Sequence, residues 1–459
     1  MENAESTSNV KNSGKLAVLG IQHVFAMFGA TVLVPLLTGL PVSVALFCAG
    51  VGTLLFHFIT KRKVPVFLGS SFAFIAAIVL AAAASANLGD SFTQAFAASG
   101  YNAIGLMSGE FGSTLTSNPA YLAALPYATG GVIVAGVVYL ILSALVMVFG
   151  AERVKSFFPP IVTGPLIIII GLMLAPTAVS YFNSSLDWIV GVVVVATVIG
   201  FSLFAKGFLK MIPILMGLIV GYVFCAGLTI SGMDVGLNYA AITSASLFAV
   251  PEFFLPKFSI SAILIVAPVA IVTFVEHIGD ITANGAVVGK DFFQEPGLHR
   301  TLLGDGVATI LAGFLGGPAN TTYSENTGVL AATRNYNPVT LEIAAVCAIL
   351  ISFVGYIAGF INSIPGAVIG GMCVVLFGMI ASVGLRNLVE NKIDFKNQRN
   401  VLIAAIMLVV AIGGASIPIN ADSGMFLQSY ALAAVIGIVL NKILPERLGR
   451  FPEDEKESE

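Results

Sequence analysis

The sequence contains few charged residues for its length. Of 459 residues, only 10% are Asp, Glu, Lys or Arg, and 57% are hydrophobic. A soluble domain carries about 25% charged residues. With so few charges the chain could not cover its surface in water, so a soluble protein is excluded. The mean hydropathy of +0.98 predicts an integral membrane protein whose surface faces lipid.

Cysteine and histidine are also scarce. Cys48, Cys225, Cys347 and Cys373 all lie in apolar segments, which favours small buried thiols over disulfides or metal ligands. No His, Cys and Asp spacing provides a metal set or a nucleophile–base pair, so neither a metal site nor a catalytic site is predicted. The polar N-terminus lacks the short apolar region of a signal peptide, and the first apolar run is predicted to be a membrane span.

Long apolar runs dominate the chain. A helix needs roughly 20 apolar residues to span a bilayer, and runs such as IVTGPLIIIIGLMLA and WIVGVVVVATVIGFSLFA approach or reach that length. The sequence predicts about fourteen segments, near 14–38, 42–60, 64–84, 127–150, 160–182, 186–205, 210–231, 259–283, 303–317, 319–334, 338–361, 364–385, 400–418 and 424–443.

The basic residues support this count and give an orientation. With a cytoplasmic N-terminus, all of the 21 Lys and Arg residues except Lys257 fall in cytoplasmic segments. Cytoplasmic loops of membrane proteins are enriched in these residues, and one miscounted span would invert every later loop. Both polar ends, 1–13 and 446–459, are therefore predicted to be cytoplasmic tails. The Ser-, Thr- and Gly-rich stretch 87–127 is predicted to be a long outside loop.

Two pairs of positions suggest an internal repeat. Gln22-His23 and Glu276-His277 lie 254 residues apart, and so do Ser71-Phe72 and Glu325-Asn326. Because each half would hold seven segments, an odd number, the second half would enter the membrane inverted. Paired interrupted segments in an inverted repeat indicate a transporter's midplane site.

Segments three and ten are the interrupted pair. VPVFLGSSFAFIAAIVL and GGPANTTYSENTGVLAATR each begin with Pro, Gly or polar residues and only then become helical in pattern. Extended backbone at membrane depth must be satisfied by protein or by a wet cavity. We therefore predict that the two extended pieces pair as short strands and that each runs into a half-helix, whose unpaired N–H groups converge on one site. The predicted N-caps are Ser70, Ser71, Thr322 and Ser324.

Segment eight carries ionisable residues at membrane depth. It is apolar until Glu276 and then contains His277 and Asp280. Each charged group near the bilayer centre costs about 2.5–3.5 kcal/mol, so several together indicate a functional requirement. Glu276 and Asp280 share one helix face, whereas His277 points elsewhere. His23 is interpreted either as a structural hydrogen-bond hub or as part of the site.

These residues lie in motifs that resemble the nucleobase–ascorbate transporter family. ENTGVLAATR (Glu325–Arg334) matches the family pattern of an acid or amide followed by Asn, a spaced Gly, Thr and a basic residue. QHVFAMFGATVLVP, LGSSFAFI, EHIGD and PGLHRTLLGDG are similar to the family as well, and the motifs span most of the chain. Within the family, the sequence most resembles the bacterial uracil permeases.

The resemblance implies an all-α polytopic membrane protein of about fourteen segments in two inverted repeats of seven, with core and gate domains. It also implies a proton-coupled uracil symporter of the cell inner membrane that forms a homodimer, contacts lipid, binds no nucleic acid and needs no cofactor beyond the proton. The implied boundaries are a tail 1–13, core 14–150, gate 151–258, core 259–361, gate 362–445 and a tail 446–459.

The resemblance also implies roles for individual residues. The substrate-binding set is Glu276 and Glu325 through their side chains, Phe72 and Ser324 through backbone N–H groups, and Tyr323 through its ring. Glu276 or Asp280 would carry the coupled proton. The supporting residues are Gln22, His23, Ser71 and Asn326.

Two positions depart from the uracil-permease pattern, and alternatives remain open. Ser324 stands where uracil permeases usually have Gly, and Asp280 stands where some have His. A xanthine or purine-base symporter of the same family is the main alternative, although the acid at Glu325 favours uracil. An anion carrier of similar architecture and an intramembrane enzyme are further alternatives. Acids at 276, 280 and 325 argue against the former, and the missing catalytic spacing argues against the latter.

Overall fold

The computed structural model describes residues 2–86, 116, 118–415, 417–420, 425–427 and 429–445. Most of them are helical. The helices are α1 (Glu2–Thr38), α2 (Val42–Ile59), α3 (Ile75–Ser85), α4 (Pro119–Phe149), α5 (Ala151–Lys155), α6 (Pro160–Met173), α7 (Ala175–Val179), α8 (Ser185–Phe204), α9 (Pro213–Ile230), α10 (Tyr239–Thr243), α11 (Ile260–Val266), α12 (Val269–Val288), α13 (Leu298–Leu315), α14 (Ser324–Thr333), α15 (Pro338–Ser352), α16 (Gly355–Asn362), α17 (Gly366–Glu390), α18 (Gln398–Ile412) and α19 (Ser429–Ile443). The strands are β1 (Leu68–Ser70), β2 (Asn320–Thr322), β3 (Ile417–Asn420) and β4 (Met425–Leu427).

Eight helical stretches of the described chain are long and apolar enough to cross a membrane. Four shorter apolar helices accompany them. The prediction of a mostly helical, multi-pass membrane protein is therefore confirmed. The eight stretches are Leu16–Thr38, Val42–Ile59, Pro119–Phe149, Pro160–Val179, Ser185–Phe204, Pro213–Ile230, Ile260–Val288 and Gly366–Glu390.

Some predicted boundaries differ from the structure. Helix α4 begins at Pro119, earlier than the predicted residue 127, because Asn118 caps it by accepting a hydrogen bond from the Ala120 N–H at 2.9 Å. Helix α1 begins at Glu2, inside the predicted tail. Most of the predicted outside loop (87–115 and 117) and the C-terminal tail 446–459 lie outside the described residues.

The helices pack in two groups. In the first, α4 lies against α13, and α2 lies between α13 and α15, which also contacts α1. In the second, α17 packs on α6 and α8, while α18 contacts α6 and α19. The groups meet where α1 approaches α9 and where α12 approaches α6 and α19.

Glycines allow the closest approaches within each group. A Cβ atom added at Gly136 of α4 would lie 2.6 Å from the Ile310 Cγ1 atom of α13, and one at Gly384 of α17 would lie 2.6 Å from the Gly164 oxygen of α6. Small residues are the usual means of bringing membrane helices together, because lipid provides no hydrophobic drive for their association.

Three polar contacts hold the segment that leads into β1. Arg62 Nε lies 2.8 Å from a carboxylate oxygen of Glu342, Lys63 pairs with Glu295, and Asn284 Nδ2 donates to the Pro65 carbonyl at 2.9 Å. The Lys63 ammonium holds the pKa of Glu295 below its usual range by hydrogen bonding and by charge. Strand β1 is thus tethered to α12 and α15 at its entrance.

Candidate substrate site

Two short strands lie at the centre of the first helix group. Strand β1 pairs with β2 in antiparallel register, with Leu68 opposite Thr322 and Ser70 opposite Asn320. All six strand residues are buried. The Ser71 N–H donates to the Ala319 carbonyl at 2.9 Å, and the Tyr323 N–H donates to the Phe67 carbonyl at 3.0 Å, which extends the ladder at both ends. The backbone N–H and C=O groups of the strands are therefore hydrogen-bonded to protein, which is required because lipid offers them no partners.

A helix leaves each strand after one residue. A 3-10 turn (Phe72–Phe74) leads from β1 into α3, and α14 begins at Ser324 directly after β2 and Tyr323. Since the strands are antiparallel, the two helix N-termini lie at opposite ends of a three-residue ladder, roughly 10 Å apart at 3.3 Å per residue. Both ends present unpaired backbone N–H groups toward the surroundings of the strand pair.

Tyr323 locks the strand pair. Its hydroxyl donates to the Ser70 carbonyl at 2.8 Å, and its side chain is almost fully buried. The ring lies so close to Gly69 that a Cβ atom there would be 2.3 Å from the ring Cζ atom. One side of the Tyr323 ring is therefore occupied by β1.

Asp280 joins α12 to the second half-helix. Thr322 Oγ1 donates to one oxygen of the Asp280 carboxyl at 2.9 Å, and Ser324 Oγ donates to the other at 2.8 Å. The predicted capping by Ser70, Thr322 and Ser324 is wrong, because these residues are not at N-cap positions, whereas Ser71 is at one but its side chain makes no cap bond. Tyr323 occupies the cap position before α14. Ser324 is already the first residue of α14 and Thr322 is still paired in β2, so neither residue occupies the N-cap position.

Glu276 and Glu325 complete the carboxyl cluster. Both side chains are half-buried, and Ser324 beside them is exposed. Glu276 Oε2 is buried and has no hydrogen-bond partner within the described residues. Glu276 lies within electrostatic range of both Asp280 and Glu325. The structure thus brings these three predicted carboxyls together at the start of α14.

His23 and Asn326 connect the first span to α14. Asn326 Nδ2 donates to His23 Nδ1 at 3.1 Å and to the His23 carbonyl at 3.1 Å. Both side chains are buried, and the buried Oε1 atom of the neighbouring Gln22 has no partner within the described residues. The His23 carbonyl oxygen needs a donor, so the Asn326 NH2 group, and not its oxygen, must face His23. Since an NH2 group can only donate, His23 Nδ1 is the acceptor of the second hydrogen bond.

Phe72 lies at the contact between the two helix groups. Its ring meets the ring of Phe377 of α17 edge to face, with 6.3 Å between centroids and an interplanar angle of 81°. Both rings are buried. The first turn after β1 therefore touches the second group, whereas α14 carries an exposed face.

The exposed faces of α12 and α14 continue from the carboxyl cluster toward their C-terminal ends. On α14 the face includes Gly328 and Ala331, and on α12 it includes Ala283 and Ala286. A Cβ atom added at Gly328 or at Gly279 of α12 would meet nothing within 4 Å. The carboxyl cluster therefore opens along a surface of small residues.

The sequence did not point to Asp305, which has two neighbours in the site, Glu276 and His277. Asp305 of α13 is fully buried and lies within electrostatic range of Glu276. It also bonds to His277, with 2.8 Å between Oδ2 and Nδ1. The signal was present, because Asp305 is an acid inside an apolar segment, the feature that singled out Glu276. Among the described residues, no group of three or more His, Cys, Asp or Glu side chains is arranged to hold a metal ion.

Comparison with known proteins decides the family. Residues 14–420 match the model of the Permease family (Xan_ur_permease). The chain belongs to this permease family, that of the nucleobase–ascorbate transporters. Membership makes it a transport protein rather than an enzyme, and it confirms the recognition made from the motifs.

Permeases of this family with high similarity occur in several bacteria. A probable uracil permease of Pasteurella multocida is 42% identical over 443 residues, covering 95% of each chain. The uracil permease of Bacillus subtilis is 41% identical over 444 residues, covering 93% of this chain and 92% of that protein. The uracil permease of Escherichia coli K12 is 36% identical, covering 93% and 90%.

Solved structures of other transporters share the fold. The transmembrane domain of the cyanobacterium bicarbonate transporter BicA superposes with a TM-score of 0.60 at 14% identity, covering 94% of this chain and 97% of that one. SLC26A9 superposes with a TM-score of 0.63 at 11% identity, covering 93% and 64%. At such low identity the permease shares their fold only.

Proposed function

We propose that this permease is a proton-coupled symporter that imports uracil across the cell membrane. The observation that carries the proposal is the cluster of Glu276, Glu325 and the α14 N-terminus. It combines acceptors and donors at membrane depth in a chain about 40% identical to named uracil permeases. Acids near the bilayer centre are costly, so their presence supports a direct functional role.

The chemistry of the cluster suits a flat, neutral base. Uracil has two N–H donors and two carbonyl acceptors. The carboxylates of Glu276 and Glu325 accept from the N–H groups, and the backbone N–H groups of Phe72 and Ser324 donate to the carbonyls. Tyr323 packs on the base with the part of its ring that does not contact β1. Gln22, His23, Ser71 and Asn326 support this frame.

Glu276 is the better candidate for the coupled proton. Because uracil is neutral, its accumulation needs a coupled ion. Asp280 accepts two hydroxyl hydrogen bonds, an arrangement that suits the ionised form. Glu276 has a buried oxygen with no donor, so a proton can bind there without breaking a hydrogen bond. No metal ion or other cofactor is required in this scheme.

We propose the following plan for the wider architecture. The two helix groups correspond to a core domain (14–150 and 259–361) and a gate domain (151–258 and 362–445). The plan has fourteen segments in two inverted repeats of seven, both tails (1–13 and 446–459) in the cytoplasm, and a homodimer in the lipid bilayer. The equal 254-residue offsets of Gln22-His23 with Glu276-His277 and of Ser71-Phe72 with Glu325-Asn326 support the repeat.

Uptake of radiolabelled uracil tests the proposal. Cells or proteoliposomes containing the permease should accumulate uracil when the outside is acidic, and a protonophore should abolish the accumulation. Accumulation that ignores the proton gradient contradicts the coupling. Stronger competition by xanthine, hypoxanthine or guanine than by unlabelled uracil would show that the substrate is a purine base, the alternative substrate class, and not uracil.

A further inference from the structure

The strand pair has two outer edges, because in the described part of the chain β1 and β2 form a two-stranded sheet. The Tyr323 N–H bonds across the pair to the Phe67 carbonyl. Hydrogen-bonded and non-hydrogen-bonded pairs alternate along an antiparallel ladder, so every second residue turns its N–H and C=O groups away from the partner strand. In this register Leu68 of β1 and Asn320 of β2 face outward.

A threonine of α2 covers the outward-facing groups of Leu68. The Leu68 N–H donates to Thr53 Oγ1 at 2.9 Å. The same hydroxyl lies 3.3 Å from the Leu68 carbonyl oxygen and 2.8 Å from the Ala49 carbonyl oxygen of its own helix. Its single hydrogen goes to one of these two carbonyls, and with either choice its oxygen accepts from Leu68.

A threonine of α13 does the same for Asn320. The Asn320 N–H donates to Thr309 Oγ1 at 3.3 Å, and the Thr309 hydroxyl donates to the Asn320 carbonyl at 3.0 Å. One hydroxyl therefore makes both of the hydrogen bonds that a neighbouring strand would make. The Asn320 side chain is also held, because its Nδ2 atom donates to the Cys48 carbonyl of α2 at 3.0 Å.

The two threonines occupy corresponding places. The register pairs Gly69 with Thr321, and the local twofold axis of the strand pair at these residues exchanges Leu68 with Asn320. Each threonine lies on the helix that precedes its strand, 15 residues before Leu68 in one case and 11 residues before Asn320 in the other. The same contact recurs at both strands, which favours a shared role over two unrelated hydrogen bonds.

The threonine contacts bear on the candidate site through the strands. Both threonines are fully buried, and at membrane depth an outward-facing strand group without a partner is costly. A strand that loses its threonine contact must therefore move to find another partner. Since the turn that begins at Phe72 follows β1 and α14 begins at Ser324 after β2, movement of either strand displaces one of the two helix starts.

We propose that Thr53 and Thr309 are positioning residues for substrate binding. Their hydroxyls take the place of neighbouring strands at the two outer edges, so that β1 and β2 hold the starts of the two half-helices at a fixed separation. Both threonines lie outside the set of residues assigned to contact uracil. The inference rests on the proposed function, because uracil binding is one of its readouts.

Equilibrium binding of radiolabelled uracil to purified single variants tests the proposal. Thr53→Val and Thr309→Val keep the branched shape but remove the hydroxyl, and each should raise the Kd roughly tenfold. Thr53→Ser and Thr309→Ser keep the hydroxyl and should bind uracil like the parent protein. A valine variant with the parent affinity, or a serine variant as weak as its valine counterpart, would overturn the proposal.

Thr197→Val in α8 is the matched control, because the Thr197 hydroxyl donates to the Val193 carbonyl of its own helix. Its Kd should equal that of the parent protein. A loss of affinity as large as in the two test variants would show that the effect is not specific to the strand edges, and the proposal would fall. Should a valine variant not fold, the alanine variant at the same position, which places no methyl group against the strand, replaces it.

Hydrogen exchange of the substrate-free protein gives a second readout. Thr53→Val should speed exchange of the Leu68 amide and Thr309→Val that of the Asn320 amide, whereas both serine variants should exchange like the parent protein. Unchanged exchange, or equal acceleration of both amides in either valine variant, would contradict the assigned contacts. Because this measurement uses no substrate, it separates a failure of the threonine contacts from a failure of uracil as the substrate.

Discussion

At the scale of single residues, two carboxyls one helical turn apart have different surroundings. Asp280 is held by hydroxyl donors from Thr322 and Ser324, whereas Glu276 has an oxygen without a donor among the described residues. A hydrogen bond to a charged group contributes about 1.5–3 kcal/mol. We therefore propose that Asp280 frames the site and that Glu276 contacts the substrate and the coupled proton.

Replacing Ser324 by Ala should weaken uracil binding. The change removes one of the two donors to Asp280 while keeping the backbone N–H of residue 324, so α14 is less firmly held against α12. The expected increase in Kd is roughly tenfold, equivalent to about 1.4 kcal/mol. Equilibrium binding of radiolabelled uracil to the purified protein measures it.

Ser382→Ala is the matched control for this change. The Ser382 hydroxyl is exposed and donates only to the Gly378 carbonyl of its own helix. Its Kd should equal that of the parent protein. Equal affinities in the Ser324→Ala variant and the control would contradict the framing role of Ser324.

At the scale of elements, the strand pair leaves little room beside β1, since a Cβ atom at Gly69 would lie 2.3 Å from the Tyr323 ring. The position of the strand pair was accessible from the sequence, because Pro65 and Pro318 with nearby Gly interrupt two apolar segments at corresponding places. The partners of Thr322 and Ser324 were not accessible, since Asp280 is distant along the chain and a local pattern predicts caps instead. The start of α4 was also not predicted. Asn118 and Pro119 form its cap locally, but they lie in a stretch whose composition is typical of a loop.

Gly69→Ala should destabilise the strand pair. The added methyl would lie 2.3 Å from the Tyr323 ring, so the ring or β1 must move, and overpacking of this kind costs about 1–3 kcal/mol. We expect a lower Tm in detergent together with weaker uracil binding. Gly200→Ala in α8 is the control, because a Cβ atom there meets nothing within 4 Å. A Tm equal to that of the control would show that Tyr323 does not lock β1.

At the scale of the whole molecule, two helix groups meet beside the site. Phe72 contacts Phe377 across the groups, while Gly328, Ala331, Ala283 and Ala286 remain exposed toward the other end of α12 and α14. The site is therefore covered at one end and accessible from the other. Composition predicted the membrane class and the motifs predicted the family, but neither predicted which end is open, because access depends on how the two groups are placed.

Cysteine labelling tests the direction of access. Gly328→Cys, in a background whose four native cysteines are replaced by Ser, should react with a membrane-impermeant maleimide in inside-out vesicles and be protected by uracil. Gly200→Cys in α8, outside the site, serves as the control for uracil protection. The expected result means that the site opens to the cytoplasmic side. Reaction of Gly328→Cys only in right-side-out vesicles would show that it opens to the outside instead.

The most direct test of the central claim is equilibrium binding of uracil to the purified permease and to Glu325→Gln. An amide of the same shape keeps the fold but presents a donor and a weaker acceptor to the base. The account predicts measurable binding by the parent protein and a loss of roughly 10- to 100-fold in the variant, equivalent to about 1.5–3 kcal/mol. Unchanged affinity in Glu325→Gln, or no uracil binding by the parent protein, would contradict it.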